Sequence, residues 1–368
     1  GGILFLGGGS TVTIAQRMFE GMNSFALLAI PLYTFAGFTM SKGGISKRLM
    51  DFCYSIVGHI YGGLAHVNVL SSMIFAGISG SAVADTAGVS GMFMPEMVRK
   101  GYSKNFTVAV TAISSTIGII IPPSIPMVVI AGICGISTGK LFLGGIIPGI
   151  LCGLAQMIVS YFMAKKEGVP KEPGHFTIGP VLHGLWESWP ALLMPIIIVG
   201  TITMGIVSPT EAGVIAVVYG LFAGGIIYRE LKWEDIKFAF AETVRTSGRI
   251  FIVIGAAKLY TVMLTTAGFD KWVAKTMLGF STNPTVILIM ILLIFFIVTM
   301  FMESIATLTL FMPILYPIAL GVGIDPIVLS VLITVVIGVG LVTPPVGMCI
   351  YVACDLMDVT VGEVFPTL

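Results

Sequence analysis

The sequence contains few charged residues: 19 Lys and Arg and 18 Asp and Glu make up 10% of 368 residues. Soluble domains average about 25%. Because 56% of the chain is hydrophobic, so few charges could not cover a soluble globule of this size. This balance excludes an ordinary soluble enzyme. The net charge of +1 offers no basic field to a polyanion, so no nucleic acid is expected as a partner.

Sequence motifs of catalysis and metal binding are also missing. There is no HExxH, GxGD or Walker loop, and the five cysteines form no CxxC pair, so we read them as small buried side chains. Gly77-Ile-Ser-Gly80 resembles the GxSG of intramembrane serine proteases only weakly, and the nearby base is His66. We predict that the protein is not an enzyme and needs no cofactor.

Long apolar runs, separated by short positive clusters, are what the sequence does contain. This hydropathy predicts an α-helical protein that crosses a lipid bilayer many times. The runs expected to cross are 25–40, 141–163, 189–206, 213–228 and 250–264, whereas 51–64 and 229–249 are expected to be interfacial helices.

The stretch 67–97 holds two apolar runs that are each too short to cross ~30 Å of hydrocarbon. Positive clusters flank the pair on both sides, at 42–48 and 99–104. If both clusters are cytoplasmic, the pair enters and leaves on one side, so we predict a re-entrant hairpin with its tip at 79–85. The span that follows, 105–135, is broken at Pro122-Pro123.

The same order recurs near the end of the chain. Short runs at 285–302 and 305–320 turn at Glu303-Ser304, and the span 327–356 is broken at Pro344-Pro345. Inside loops then hold 14 of the 19 Lys and Arg, and the second hairpin opens to the opposite side from the first. Matching broken helices in two inverted halves indicate a transporter's binding site.

We therefore predict an all-α polytopic membrane protein of the inverted-repeat transporter type, with two re-entrant helical hairpins and two proline-broken transmembrane helices. Four segments are expected. Residues 1–64 and 141–249 form scaffold helices, each ending in an interfacial arm helix, and 65–140 and 250–368 form the two transport repeats.

The double prolines suggest the chemistry of the site. Proline lacks an N–H, so carbonyls about one turn upstream lose their partners, and Na⁺ is well served by such oxygens and hydroxyls. The expected Na⁺ ligands are Gly80, Ser81, Asp85, Gly118, Pro122, Gly338, Gly340, Thr343 and Pro344. The N-terminal ends of the half-helices suit a carboxylate. The expected substrate contacts are Ser81, Ser115, Ser124, Glu303 and Thr343.

Four ionisable residues fall at membrane depth, where each is costly. Asp85 and Glu303 lie at the two hairpin tips, so they are expected to organise the tips and the pocket; the alternative is that they only cap helices. Glu211 is equally consistent with a helix cap or an ion role. Lys258 either forms an ion pair with an acidic residue or snorkels, extending its amine to the membrane interface. The sequence does not distinguish between these two interpretations.

Five motifs in order resemble the large membrane subunit of tripartite ATP-independent periplasmic (TRAP) transporters. They are Gly80-Ser-Ala-Val-Ala-Asp-Thr-Ala87, Ile121-Pro-Pro-Ser-Ile-Pro-Met127, Ser208-Pro-Thr-Glu-Ala-Gly213, Phe301-Met-Glu-Ser304 and Thr343-Pro-Pro-Val-Gly347. The resemblance implies import of an organic acid anion, driven by Na⁺, through an elevator domain. It also implies a bacterial or archaeal inner membrane, a small four-helix membrane subunit and a periplasmic solute-binding protein.

Two further expectations concern the substrate and the extent of the chain. Sialate and sugar-acid members tend to have Asp-Leu-Thr-Pro where this chain has Glu303-Ser-Ile-Ala306, which favours a C4-dicarboxylate. The chain opens without Met, so it is expected to be a fragment lacking the family's first helix. The alternative is a stand-alone Na⁺/dicarboxylate symporter, whose Ser-Asn-Thr tip signatures are missing.

Overall fold

The computed structural model describes residues 11–169 and 176–368, and within these ranges the chain is helical with no strand. The helices of the first half are α1 Thr11–Met22, α2 Ala29–Lys42, α3 Ile45–Val57, α4 Gly63–Ser79, α5 Ala82–Arg99, α6 Lys104–Ser115, α7 Ile125–Cys134 and α8 Thr138–Lys166. Those of the second half are α9 Ile178–Thr203, α10 Pro209–Phe222, α11 Trp233–Thr266, α12 Phe269–Phe280, α13 Pro284–Thr299, α14 Ser304–Gly321, α15 Pro326–Gly340, α16 Met348–Met357 and α17 Val361–Val364.

Among the described residues, six helical segments are long and apolar enough to cross a membrane. They are Phe25–Lys42, Thr138–Lys166, Ile178–Thr203, Pro209–Ile227, Trp233–Thr266 and Ser304–Gly321. Large apolar side chains on several of them face outward; Ile147 and Ile196 are each about two-thirds exposed. Such outward apolar faces fit lipid as the solvent, so the polytopic α-helical fold is confirmed.

One predicted interfacial helix is wrong as a separate element. Residues 233–249 of the predicted interfacial helix and the whole span 250–264 lie in a single helix, α11, which runs for 34 residues. Lys and Arg are good helix formers, so the cluster of charges that marks a membrane boundary does not interrupt the backbone. The expected segment boundary between 249 and 250 lies inside α11. Helix α12, which carries three charged residues, was not predicted.

Helix α2 packs against both α10 and α11, and α3 packs against α9. Arg48 of α3 connects this group at one end: it donates to Glu230 across 2.7 Å, and its guanidinium lies 4.2 Å from the centre of the Tyr228 ring. The hydroxyl of Tyr228 in turn donates to the Glu187 carbonyl of α9 at 3.0 Å. These contacts join α3 and α9 to the connection between α10 and α11.

The remaining helices form two matching units of a hairpin and a broken helix. In the first unit, the hairpin α4–α5 packs on α6, and α7 follows the break; in the second, the hairpin α13–α14 packs on α15, and α16 follows. The units are interlocked, because α7 packs against α14 of the second hairpin while α16 packs against α5 of the first. The sequence repeat is therefore a repeat of packing as well.

Candidate functional site

The tip of the first hairpin is a two-residue turn between α4 and α5. Gly80 has φ of 67°, a left-handed conformation that glycine adopts without strain, and a Cβ there would lie 2.6 Å from the carbonyl oxygen of Pro123. The Ser81 hydroxyl caps α5 by accepting from the amide of Ala84 at 3.4 Å. Only glycine fits the turn, because the tip touches the backbone of the broken helix.

The first broken helix interrupts where the sequence predicts. After α6, a 3-10 turn covers Thr116–Ile119, and α7 starts after the prolines with Ser124 as its N-cap. The Ser124 hydroxyl donates to the carbonyl oxygen of Ile119 at 2.5 Å, across the break. The amide of Ile125 donates to the carbonyl oxygen of Gly80 at 3.1 Å, so the hairpin tip is hydrogen-bonded to the start of α7.

Asp85 lies directly against this break. Its carboxyl is fully buried, Oδ1 accepts a hydrogen bond from the Ser79 hydroxyl, and Oδ2 has no partner among the residues that the structure describes. A Cβ on Gly118 would lie 2.0 Å from Oδ2. Asp85 Oδ2 therefore packs directly against the backbone of Gly118 in the 3-10 turn, where no side chain lies between them. A buried carboxylate with one donor needs a cation or a proton nearby.

The second unit repeats this arrangement with different residues. The amide of Val346, just after Pro345, donates to the carbonyl oxygen of Met300 at the second hairpin tip across 3.0 Å. Gly340, the last residue of α15, packs on Thr299; a Cβ added there would lie 2.7 Å from the Thr299 Cβ. The hydroxyl of Thr343 donates to the carbonyl of Val339 at 2.7 Å.

Glu303 caps its own hairpin helix. Its Oε2 accepts from the amides of Ile305 at 2.8 Å and Ala306 at 3.3 Å, and Oε1 accepts from the Ser304 hydroxyl at 2.5 Å. The residue is only partly buried. Unlike Asp85, Glu303 has a hydrogen-bond donor for each carboxylate oxygen within its own hairpin tip. This geometry fits the alternative that Glu303 only caps a helix.

The two units meet at their breaks. An added Cβ on Gly338 would lie 3.5 Å from the Thr116 Cβ, so α15 touches the 3-10 turn of the first broken helix. Cys349, fully buried at the start of α16, lies beside Thr86, and α16 packs against α5 of the first hairpin. These contacts bring the breaks of the two units side by side.

Cys349 and Thr86 are the residues at this junction that sequence reasoning missed. Thr86 follows Asp85 directly, and Cys349 follows the second proline pair by a few residues, but neither position signals the contact. Asn68 of α4, which no motif of the sequence singles out, is fully buried, and its side-chain amide donates to the Thr111 hydroxyl at 2.7 Å.

Other predicted residues have local partners. The Ser115 hydroxyl donates to its own helix, at the carbonyl of Thr111. Glu211 forms a reciprocal capping box with Ser208 at the start of α10, which fits the cap reading of that residue. Lys258 is exposed, and its Cβ and Cγ lie against Gly21 of α1. No acid forms an ion pair with Lys258 in the described ranges.

The candidate site has no cluster of acids, histidines and cysteines of the kind that holds a transition metal. Within 11–169 and 176–368 no group of three or more such side chains is placed to bind a metal ion. A cation bound near Asp85 would depend on one carboxylate, hydroxyls and the carbonyls freed at the breaks. Those are the ligands of a hard cation with weak geometric demands.

A multi-pass transporter fold is the class that this architecture defines. The chain superimposes on the crystal structure of the Alcanivorax borkumensis YdaH transporter with a TM-score of 0.61 at 14% identity, covering 95% of this chain and 82% of that one. At that identity the likeness concerns the fold alone. Within this class, residues 2–368 match the family described as "Tripartite ATP-independent periplasmic transporter, DctM component". The chain belongs to that family.

Curated relatives agree with this assignment. The chain is 37% identical to the isethionate TRAP transporter permease protein DctMQ of Oleidesulfovibrio alaskensis, 36% to the sialic acid large permease SiaM of Vibrio cholerae and 35% to the C4-dicarboxylate large permease DctM of Pseudomonas aeruginosa. The alignments cover 95%, 94% and 98% of this chain. They span 55% of DctMQ, 81% of SiaM and 84% of DctM.

Family membership makes the protein a permease subunit of the inner membrane and not an enzyme. The predicted family, membrane location and lack of enzymatic function are therefore confirmed.

Proposed function

We propose that this TRAP large permease imports an organic acid anion together with Na⁺, and that the two hairpin tips and the two helix breaks form the transport site. One observation carries the proposal: the unpartnered Oδ2 of fully buried Asp85, resting on Gly118 beside a proline-broken helix. A carboxylate in that position is costly unless a cation compensates it.

The proposed Na⁺ ligands group at the two breaks. Gly80, Ser81, Asp85, Gly118 and Pro122 would serve one ion, because the hairpin tip and the first break are in direct contact. At the second break, the proposed ligands are Gly338, Gly340, Thr343 and Pro344. The contact between Gly338 and Thr116 supports a shared pocket, since it places the two breaks side by side.

The anion is proposed to bind where half-helices begin. Ser81, Ser124 and Glu303 each cap a helix that starts at the junction of the two units. The start of α16 differs, because its N-cap is Gly347, which has no side chain to satisfy the first amides. Those amides and the positive end of the helix dipole suit a carboxylate. Ser115 and Thr343 would complete the substrate contacts.

A C4-dicarboxylate is the proposed substrate, with sialate or another sugar acid as the alternative. The relatives are named for isethionate, sialic acid and C4-dicarboxylates, each of which is an organic acid. The departure at Glu303-Ser-Ile-Ala306 from the Asp-Leu-Thr-Pro of sialate members favours the dicarboxylate.

An elevator motion is the proposed mechanism. The transport domain would comprise 65–140 and 250–368, and the scaffold would comprise 1–64 and 141–249. The first half of α11, up to residue 249, would then belong to the scaffold, and the second half would belong to the transport domain. The interlocking of α7 with α14 and of α16 with α5 supports movement of both repeats as one body. A small four-helix membrane subunit, separate or fused, and a periplasmic binding protein are the proposed partners.

Uptake into proteoliposomes tests the proposal. The intact membrane complex is reconstituted, and labelled succinate or sialate is added with an inward Na⁺ or K⁺ gradient, with and without the binding protein. We expect succinate uptake only with Na⁺ and the binding protein. Uptake with K⁺ alone would contradict Na⁺ coupling, and uptake without the binding protein would favour a stand-alone symporter. Sialate uptake in place of succinate would change the substrate only.

A further inference from the structure

Four buried polar side chains connect α4 of the first hairpin to α6 of the first broken helix. They are Asn68 and Ser72 on α4 and Thr111 and Ser114 on α6, all fully buried, and we call them the polar seam. The side-chain amide of Asn68 donates to the Thr111 hydroxyl at 2.7 Å, and the Ser114 hydroxyl donates to Asn68 Oδ1 at 3.2 Å. The Ser72 hydroxyl donates to the Ser114 hydroxyl at 3.1 Å.

A polar seam in this place is not needed for packing. Apolar side chains of the same size would fill the contact without desolvating an amide and three hydroxyls. What hydrogen bonds add is a fixed register, because a shift of α4 along α6 would leave buried polar atoms unpaired. Asn68 is central, since it donates to one member of the seam and accepts from another.

The second unit has no equivalent. The helices that correspond to α4 and α6 there are α13 and α15, and their buried hydroxyls, Thr299, Ser330 and Thr334, each donate to a carbonyl of their own helix. In the described part of the chain, no side-chain hydrogen bond joins α13 to α15. The second unit therefore folds without a polar seam. The polar seam of the first unit needs an explanation that is specific to that unit.

The Asp85 site provides that reason. Ser72 of the seam and Ser79, which donates to Asp85, are seven residues apart on one face of α4, about 10 Å along its axis. On α6, Ser114 of the seam precedes Gly118 by four residues. The seam thus fixes α4 against α6 next to the place where the Asp85 carboxyl rests on the 3-10 turn.

We infer that Asn68 is a positioning residue for the coupling cation: through the seam it holds the Asp85 carboxyl and the oxygens of the first break at distances that suit the ion. This rests on the Na⁺ coupling proposed above. Asn68 acts through other groups, so its loss weakens cation binding while leaving the transport cycle intact when the cation is saturating.

The experiment uses Thr111→Val, which keeps the shape of the side chain and removes the acceptor of the Asn68 amide. The intact complex is reconstituted, and uptake is measured as a function of Na⁺ concentration. We expect the half-saturating Na⁺ concentration to rise about tenfold, with the maximal rate within about twofold of the wild type. Thr111→Ser restores a hydroxyl and should restore the wild-type value.

Thr334→Val is the matched control. Thr334 is equally buried on α15, and its hydroxyl donates to its own helix, at the Ser330 carbonyl, as that of Thr111 does at Thr107. Among the described residues its hydroxyl has no hydrogen-bond partner on a neighbouring helix, so the same change there should leave the Na⁺ dependence unaltered. Ser72→Ala, which removes the outer hydroxyl of the seam, should raise the half-saturating concentration by a smaller factor and serves if Thr111→Val fails to assemble.

The outcomes separate the two proposals. A lower maximal rate with unchanged Na⁺ dependence, or an equal shift in Thr334→Val, would overturn the positioning role while leaving Na⁺ coupling intact. If wild-type uptake does not depend on Na⁺, the proposed coupling fails and the positioning role fails with it. A selective shift that Thr111→Ser reverses supports both.

Discussion

The amide of Ile125 donates a hydrogen bond to the carbonyl oxygen of Gly80 at 3.1 Å and so fastens the first hairpin tip to the helix half that follows Pro122-Pro123. The second unit makes the same connection from Val346 to Met300 at 3.0 Å. In both, an amide just beyond the proline pair satisfies a carbonyl at the hairpin tip. The tips are therefore held by backbone groups, and side chains such as Asp85 remain available for a ligand.

Removing the charge of Asp85 should stop coupled transport. Asp85→Asn keeps the size of the side chain and can still accept from Ser79, but it no longer compensates a cation. We expect Na⁺-driven uptake to fall at least about tenfold. Asp325→Asn is the matched control: Asp325 is exposed and caps α15, a role that Asn fills equally well. Equal uptake by Asp85→Asn and wild type would contradict a cation role for this carboxyl.

A methyl group on Gly118 should disrupt the first break. In Gly118→Ala the new Cβ would lie 2.0 Å from Asp85 Oδ2, so the carboxyl or the turn must move. We expect the free energy of unfolding to fall by about 1–3 kcal/mol and uptake to fall with it, as measured by thermal denaturation in detergent and by proteoliposome assay. Gly132→Ala, on α7 with no atom closer than 3.9 Å, should be tolerated. Similar behaviour of the two variants would refute the close contact.

The second break makes a parallel prediction. Gly340→Ala would place a Cβ 2.7 Å from the Thr299 Cβ and 3.0 Å from its Cγ2, which pushes α15 away from α13. The expected loss of stability is again about 1–3 kcal/mol, read from thermal denaturation. Gly321→Ala, at the end of α14 with open space around it, provides the comparison. If both variants have the same melting temperature as the wild type, the packing of α13 on α15 is looser than described.

Glu303 should tolerate an amide better than a truncation. Glu303→Gln can still accept from the amides at the start of α14, whereas Glu303→Ala loses the cap, at a cost of about 1 kcal/mol in stability. We expect Gln to keep most of the uptake and Ala to lose a larger part of it, with the same order in melting temperature. A Gln variant as inactive as the Ala variant, yet fully stable, would show that transport uses the charge itself.

Local features of the site were predictable from the sequence, and its assembly was not. Proline pairs forbid a continuous helix, so the two breaks follow directly from Pro122-Pro123 and Pro344-Pro345. Gly80 and Ser81 likewise end one helix and cap the next. Contacts between distant residues, such as that between Cys349 and Thr86, depend on how the two units interlock, and no periodicity or charge pattern along the chain encodes that.

Charge patterns also misled in one place. The basic residues at 229–249 led us to predict a separate interfacial helix, but Lys and Arg are good helix formers, so α11 runs on without a break from Trp233 to Thr266. Asn68 shows the opposite case. The sequence around a single Asn on an apolar helix does not indicate which residues it contacts. The polar seam forms because the packing of α6 on α4 places the hydroxyls of Thr111 and Ser114 next to Asn68.

The exchange of helices between the two units limits how the site can open. Helix α7 belongs to the first repeat by sequence but to the second hairpin by contact, and α16 does the reverse. Parting the repeats from each other would expose the faces that α7 buries against α14 and that α16 buries against α5. In the proposed transport cycle, travel of the two repeats together would keep both these contacts and the hydrogen bonds at the hairpin tips, whereas separation of the repeats would lose the contacts.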